Sequence, residues 1–388
     1  MREFWVAVGL LWLAGVGLRL TLLAVPPVIA LIQADLYLSG TEIGILSGLP
    51  VILFAMAALP ASLLIARFGA LATLATGLVV AGIASGLRGA AFDVLALYAA
   101  TVVMSAGIAI MQPALPLLVR QWLPRRLTFG TAVFTNGLLV GETLAVMLTI
   151  PLVLPLTGGS WRWGLVVWGL PLVLIALLAV ALAPRSKATT SAAPVAGLGW
   201  WPDWGDKLVW QIGILFGSVN STYFSTNAFL PGHLTGAGRP DLIGAALTAL
   251  NFGQLPASFA LLALAGRLER RAYPIIASGT LIIVCLIGIV ATASAWTVFF
   301  AFWLGFFGAV VFTFALALPP LLGAPGNLAR LSGAMFTISY SEALVISVLS
   351  GAAWDLGGAA RFAFLPIVLS ALPILLVPAT IRFRPGAV

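Results

Sequence analysis

Three ionisable side chains fall where the hydrocarbon core of a bilayer is expected. Arg19 lies inside the apolar stretch GLLWLAGVGLRLTLLAVPPVIALI from Gly9 to Ile32, and Glu142 and Glu342 each lie near the middle of another apolar run. An α-helix rises about 1.5 Å per residue, so roughly 20 apolar residues cross the core. A guanidinium at that depth costs at least about 2.5 kcal/mol unless it faces protein, water or an anion. Arg19 is therefore expected either to pair inside a helix bundle or to meet an anionic solute. The guanidinium stays charged at physiological pH and presents a planar fork of donors matched to a carboxylate or similar oxyanion. Lone acids at membrane depth usually face a bundle interior, so Glu142 and Glu342 are expected to carry a coupling proton or act in gating, with a static pair to Arg19 and a solvated cavity wall as the other readings of Glu142. One cation and two acids cannot neutralise by pairing alone. Either one glutamate is protonated or a cationic solute completes the balance.

Uncharged candidates surround these three. Asn220 is the near counterpart of Arg19 at an offset of about 200 residues, and Gln112, Tyr340 and Trp303 join it as expected substrate-binding residues. Gln211, Ser221, Tyr223, Asn227, Asn136, Asn251 and Gln254 are weaker candidates, because polar residues in membrane helices also serve as interhelical glue worth about 1 kcal/mol. His233, the single histidine, is expected in an outer loop, and Cys285 is the single cysteine. No intrachain disulfide can form, and no cysteine cluster, His-based metal site or His-dependent catalytic set is expected, so neither cofactor nor metal is implied.

The elements that position these residues follow from composition. The chain has 388 residues, 62% of them hydrophobic and 8% charged, with mean hydropathy +1.14, far from soluble domains. Twelve apolar segments are expected to span, near 5–31, 40–65, 71–91, 94–119, 129–155, 163–183, 208–230, 241–265, 272–292, 295–323, 332–353 and 361–381. The chain enters the first at once without an A-x-A pattern, so a retained helix is expected. With a cytoplasmic N-terminus, fourteen basic residues fall in cytoplasmic segments. Only Arg88, Arg162, Arg239 and Arg361 fall outside, which orients the chain with both termini cytoplasmic. The net charge of +8 thus reflects topology rather than nucleic-acid binding.

Residues 184–207, rich in small, polar and Pro residues and ending near Trp200, Trp201 and Trp204, read as a cytoplasmic linker between six-helix halves at 1–183 and 208–388. The halves repeat at an offset close to 200: Thr41-Glu42-Ile43-Gly44 matches Asp241-Leu242-Ile243-Gly244, Arg67 matches Arg267, Arg162 matches Arg361, and Glu142 matches Glu342. A repeated six-helix half is a transporter signature, since two related bundles can rock about a site held between them.

This pattern resembles the major facilitator superfamily along essentially the whole chain. The family's loop motif between the second and third helices, G-x-x-x-D-R-x-G-R-[RK], is degenerate here, where Arg67 and Gly69 remain of it. Within the superfamily the chain is most similar to the cyanate and nitroimidazole transporter branch, through Gly107-Ile108-Ala109-Ile110-Met111-Gln112-Pro113-Ala114-Leu115-Pro116, Ser160-Trp161-Arg162-Trp163 and Leu331-Ser332-Gly333. It departs from the branch at Gln112, where asparagine is expected, and at Glu342, where an uncharged residue is usual.

The expected function is secondary transport of a small anionic solute by alternating access, with proton coupling, across a bacterial inner membrane. The alternatives are a proton-antiport exporter of a cationic or drug-like solute and, in another class, a membrane sensor or channel. Gly141-Glu142 stands where exporters of this superfamily often carry Gly-Pro, which disfavours export. No G-x-x-x-x-G-K-[ST] loop is present, so ATP drive is not expected, and no enzymatic activity is expected either. The expected partners are the solute, protons and membrane lipid, with no nucleic acid, and the chain is expected to be a monomer.

Overall fold

Apolar runs this long have to close their backbone hydrogen bonds internally, and helices do so within one segment. The computed structural model describes residues 2–56, 58–184, 203–268, 271–322 and 328–381, and every regular element among them is helical. In chain order these are α1 (Arg2–Arg19), α2 (Ile29–Leu36), α3 (Gly40–Met56), α4 (Ala58–Phe68), α5 (Ala70–Gly89), α6 (Val94–Met111), α7 (Ala114–Trp122), α8 (Leu127–Leu148), α9 (Leu154–Leu156) and α10 (Trp161–Leu182). They continue with α11 (Lys207–Gly236), α12 (Ile243–Phe252), α13 (Gln254–Leu268), α14 (Tyr273–Ala291), α15 (Ala295–Leu322), α16 (Leu328–Gly357) and α17 (Phe364–Thr380). The chain is an all-α membrane protein with the twelve-segment architecture expected. Residues 185–202 of the linker, including Trp200 and Trp201, lie outside the described residues; Trp204 accepts a bond on its carbonyl from Trp210 Nε1 at 2.9 Å.

Nine segments are long and apolar enough to cross a membrane among the described residues. The other three depart from a plain apolar helix for visible reasons. The first expected segment is split into α1 and α2 by a turn at residues 20–25, after which Pro26 and Pro27, with no N–H to donate, open a short 3-10 turn, Pro26–Val28, ahead of α2. The second is α3 with α4. The seventh, α11, is 30 residues long but carries Gln211, Asn220, Ser221, Tyr223, Asn227 and His233.

The contacts group into two compact units, residues 1–37 with 56–194 and residues 38–55 with 195–388. In the first unit α1 packs on α8, and α5 on both α6 and α10. In the second, α11 packs on α16, and α14 on both α15 and α17. These are the same three pairings at matching positions, so the sequence repeat is also a repeat of packing. The helix α3 belongs to the second unit, whereas the sequence places it in the first half. The Asp355 carboxylate of α16 caps the N-terminus of α3, accepting from Gly40 N at 2.6 Å, Thr41 N at 2.8 Å and Thr41 Oγ1 at 2.5 Å. Gly40 and Gly44 then let the α3 backbone lie directly against Gly351 and Ser347.

The stretch Ser160-Trp161-Arg162-Trp163 has a structural use in the first unit. Ser160 caps α10, while Trp161 Nε1 and Arg162 Nη2 donate to Asp35 Oδ2 at 3.1 and 2.8 Å, tying α10 to the end of α2. Arg88, counted among the basic residues of the outer side at the end of the third span, is instead fully buried in α5. It donates to Thr21 O at 2.8 Å and Ser85 Oγ at 3.0 Å. His233, expected in a loop, lies buried in the last turns of α11, with Nε2 at 3.1 Å from Ile289 O. In both cases a partner carbonyl takes up the polar group inside a helix, and α11 in addition runs to Gly236, past the expected limit at 230.

Candidate functional site

In the first unit the site begins at the break in the first segment. The α1 ladder ends at Arg19, residues 20–25 turn, and all six are buried. Irregular backbone at membrane depth is tolerated where protein or a cavity takes up its polar groups, and Arg88 does so at the Thr21 carbonyl. The position of Arg19 is set by glycine. Gly137 and Gly141 form a G-x-x-x-G face on α8, and a Cβ at Gly141 would run into the Val16 backbone, as one at Gly137 would into that of Trp12. With no Cβ there, α1 and α8 meet backbone to backbone. That approach brings Arg19 Nε to 3.3 Å from Glu142 Oε1, with the side chains only 12% and 3% exposed. Seven residues earlier on α1, Trp12 Nε1 donates to Asn136 Oδ1 of α8 at 2.9 Å.

The second unit builds the matching contact differently. On α11, Gly213 and Gly217 repeat the G-x-x-x-G face, and a Cβ at Gly217 would overlap the carboxylate of Glu342 on α16. The space left by the missing methyl is filled by an acid. Glu342 is half-buried, and Ser218 Oγ donates to its Oε1 at 3.2 Å. The ion pairs Arg19–Glu142, Arg162–Asp35 and Arg239–Asp241 do not include it. One turn along the same face, Asn220 Nδ2 donates to Ser339 Oγ at 2.8 Å. Tyr340 is buried, with its ring stacked on Phe336 at 5.7 Å and edge-on to Phe54 at 5.7 Å.

The sequence candidates thus sort by location. Arg19 and Glu142 come together in the first unit, Asn220 and Glu342 lie along one α11–α16 seam in the second, and Tyr340 of α16 packs its ring against Phe54 of α3. Gln112 stands apart at the C-cap of α6. Trp303 lies on α15 in a group of rings, stacked on Phe307 at 5.5 Å and edge-on to Phe306 at 5.4 Å. Two features were missed. One is Arg88, which makes the buried guanidiniums of the first unit two against one carboxylate. The other is a relay from Tyr223 Oη to Asn251 Oδ1 at 2.5 Å and from Asn251 Nδ2 to Asn227 Oδ1 at 2.9 Å. The spacing of Tyr223 and Asn227, one helical turn apart on α11, was the signal that could have linked them.

Comparison with known proteins agrees with this architecture. The sequence model of the Major Facilitator Superfamily matches residues 11–347. The chain is 28% identical over 295 residues to an uncharacterized transporter, YycB, of Bacillus subtilis, covering 76% of this chain and 72% of the relative. It is 27% identical over 238 residues to a 2-nitroimidazole transporter of Escherichia coli, covering 60% and 58%. Among solved structures, a bacterial homolog of the human lysosomal transporter Spinster, inward-facing and unoccupied, superposes with TM-score 0.74 at 14% identity, over 97% of this chain and 96% of that one. The nucleoside transporter NupG superposes with TM-score 0.73 at 14% identity, over 98% of both chains.

Proposed function

Because the chain belongs to the Major Facilitator Superfamily of membrane transporters, we propose that it carries a small anionic solute across a bacterial inner membrane by alternating access, coupled to protons, as a monomer with both termini cytoplasmic. Arg19 engages the anionic group, with Asn220, Tyr340, Gln112 and Trp303 as further solute contacts. Glu342 carries the coupling proton, and Glu142 acts as the counter-ion that holds Arg19 when no solute is bound.

The observation that carries this reading is the balance of buried charge. In the first unit Arg19 pairs with Glu142 and the buried Arg88 donates to the Thr21 carbonyl and Ser85 Oγ, while in the second Glu342 meets only a serine hydroxyl among the hydrogen bonds described for it. With Glu342 ionised, the charges of Arg19, Arg88, Glu142 and Glu342 cancel. With Glu342 protonated, these four groups hold one excess positive charge, and a monovalent anion restores neutrality. Proton and anion then enter as a neutral pair, which avoids the cost of carrying net charge through a low-dielectric interior. The relative named for 2-nitroimidazole supports the choice of group, since the two oxygens of a nitro group have the planar spacing of a carboxylate and suit the same guanidinium fork.

The test is binding of small carboxylates and inorganic oxyanions to purified protein, with folding checked by elution profile. Arg19→Lys keeps the charge but loses the fork and is expected to weaken binding about tenfold, and Arg19→Ala to abolish it. An exporter of cations gives the opposite result, because removing Arg19 frees a carboxylate and binding of an organic cation holds or tightens. Undiminished anion binding in Arg19→Ala overturns the proposal.

A further inference from the structure

An opening lies in the first unit at residues other than the Arg19–Glu142 pair. A cleft of about 500 Å³ is bounded by the first turn of α1 and by the turn between α7 and α8. Phe4, Trp5, Trp122 and Leu123 form its walls, Arg125 and Arg126 its charged edge, and no carboxylate is among its lining residues. Its depth in the membrane follows from the chain. The apolar span Val94–Trp122 ends at this turn and the span Phe129–Leu156 begins just past it, so the cleft sits at the level where hydrocarbon gives way to headgroups. With Arg88 buried in α5, the bias of basic residues, fourteen against Arg162, Arg239 and Arg361, makes this the cytoplasmic edge.

Its chemistry is two-sided. Phe4 stacks on Phe129 with centroids 6.1 Å apart, and the Arg126 guanidinium lies 5.2 Å from the centre of the Phe4 ring, held by the ring face. Trp5 is 64% exposed, a large apolar face that water alone would leave poorly covered. Arg125 and Arg126 are both exposed, and α8 starts at Leu127 with no side-chain acceptor at its N-cap, Arg126, so two guanidiniums and the positive end of a 22-residue helix meet at one turn. Aromatic walls at headgroup depth fit a glycerol and the first methylenes of an acyl chain, and the paired arginines fit a phosphate. A freely soluble phosphate would use the arginines and leave the apolar walls wet.

We propose that this cleft is a binding site for one anionic phospholipid, which seats its phosphate on Arg125 and Arg126 and its glycerol and upper acyl chain against Trp5, Trp122 and Phe4. The site is independent of the transported solute.

Native mass spectrometry of the full-length purified chain, delipidated and then titrated with phosphatidylglycerol or phosphatidylethanolamine of identical acyl chains, tests this directly. The expected result is one tightly retained phosphatidylglycerol and at least about tenfold weaker retention of phosphatidylethanolamine. Arg125→Gln/Arg126→Gln, whose changed side chains are exposed and leave folding intact by elution profile and melting temperature, is expected to erase the preference. Arg361→Gln, an exposed arginine elsewhere, is expected to keep it. Inorganic phosphate and glycerol 3-phosphate are added as competitors, and neither is expected to displace the lipid at millimolar concentration. Equal retention of the two lipids, retention unchanged in the double variant, or displacement by inorganic phosphate alone would overturn the assignment.

Discussion

Glu142 and Glu342 occupy matching positions of the two halves, 200 residues apart, on helices that make the same packing contact with their partners, yet their surroundings differ in kind. Glu142 is buried beside a guanidinium, and the close approach that makes the pair possible comes from the glycine immediately before it. Glu342 is half-buried, is met by one serine hydroxyl, and owes its space to a glycine on the opposite helix. In the first unit Gly141 admits backbone and the acid finds a cation; in the second, Gly217 admits the acid itself. One repeated frame therefore holds an ion pair in one unit and, in the proposed function, an exchangeable proton site in the other. The lesson is that a packing repeat conserves where helices touch but leaves open what fills the contact.

The largest expected effect breaks the comparison at its charged end. Glu142→Ala leaves the Arg19 guanidinium desolvated without its carboxylate, a loss of about 3–5 kcal/mol, read as a fall in melting temperature in detergent. Glu342→Gln is close to isosteric and is expected to change that temperature little. It is expected instead to abolish uptake driven by a pH gradient while leaving solute exchange intact in proteoliposomes. Equal destabilisation by the two changes, or intact concentrative uptake in Glu342→Gln, would show that the acids do the same job.

Next comes the pair of glycines. Gly141→Ala pushes a methyl into the Val16 backbone and is expected to cost about 1–3 kcal/mol of stability. Gly217→Ala pushes one into a side chain that can swing aside, so its stability loss should be smaller and its effect on proton-driven uptake larger. Combining it with Glu342→Gln should add little further loss of uptake, since the two act on one group. Independent, additive losses would separate Gly217 from the carboxylate.

The smallest effects sharpen the comparison. Trp12→Phe removes the bond to Asn136 and Ser218→Ala the bond to Glu342, each worth about 1 kcal/mol. The first is expected to appear in thermal unfolding alone. The second is expected to alter the pH profile of uptake as well, and an unchanged profile would remove Ser218 from the proton site.

By itself the sequence determined the spans, the repeat and the short list of charged residues at membrane depth. The cost of placing polar groups in hydrocarbon is set residue by residue along a segment, so hydropathy and the positions of Arg19, Glu142 and Glu342 could be read locally. The G-x-x-x-G faces at Gly137–Gly141 and Gly213–Gly217 were equally legible, but which atoms they admit was not. Only the tertiary structure decided that Arg19 pairs with Glu142, that Arg88 is buried at the Thr21 carbonyl and changes the count of charges, and that His233 ends inside α11. It likewise decided that Asp355 holds α3 in the second unit. Each outcome depends on the rotation of one helix against another and on which carbonyl or carboxylate a long side chain can reach. Those quantities are set jointly by two segments far apart in the chain, and no window of one segment contains them.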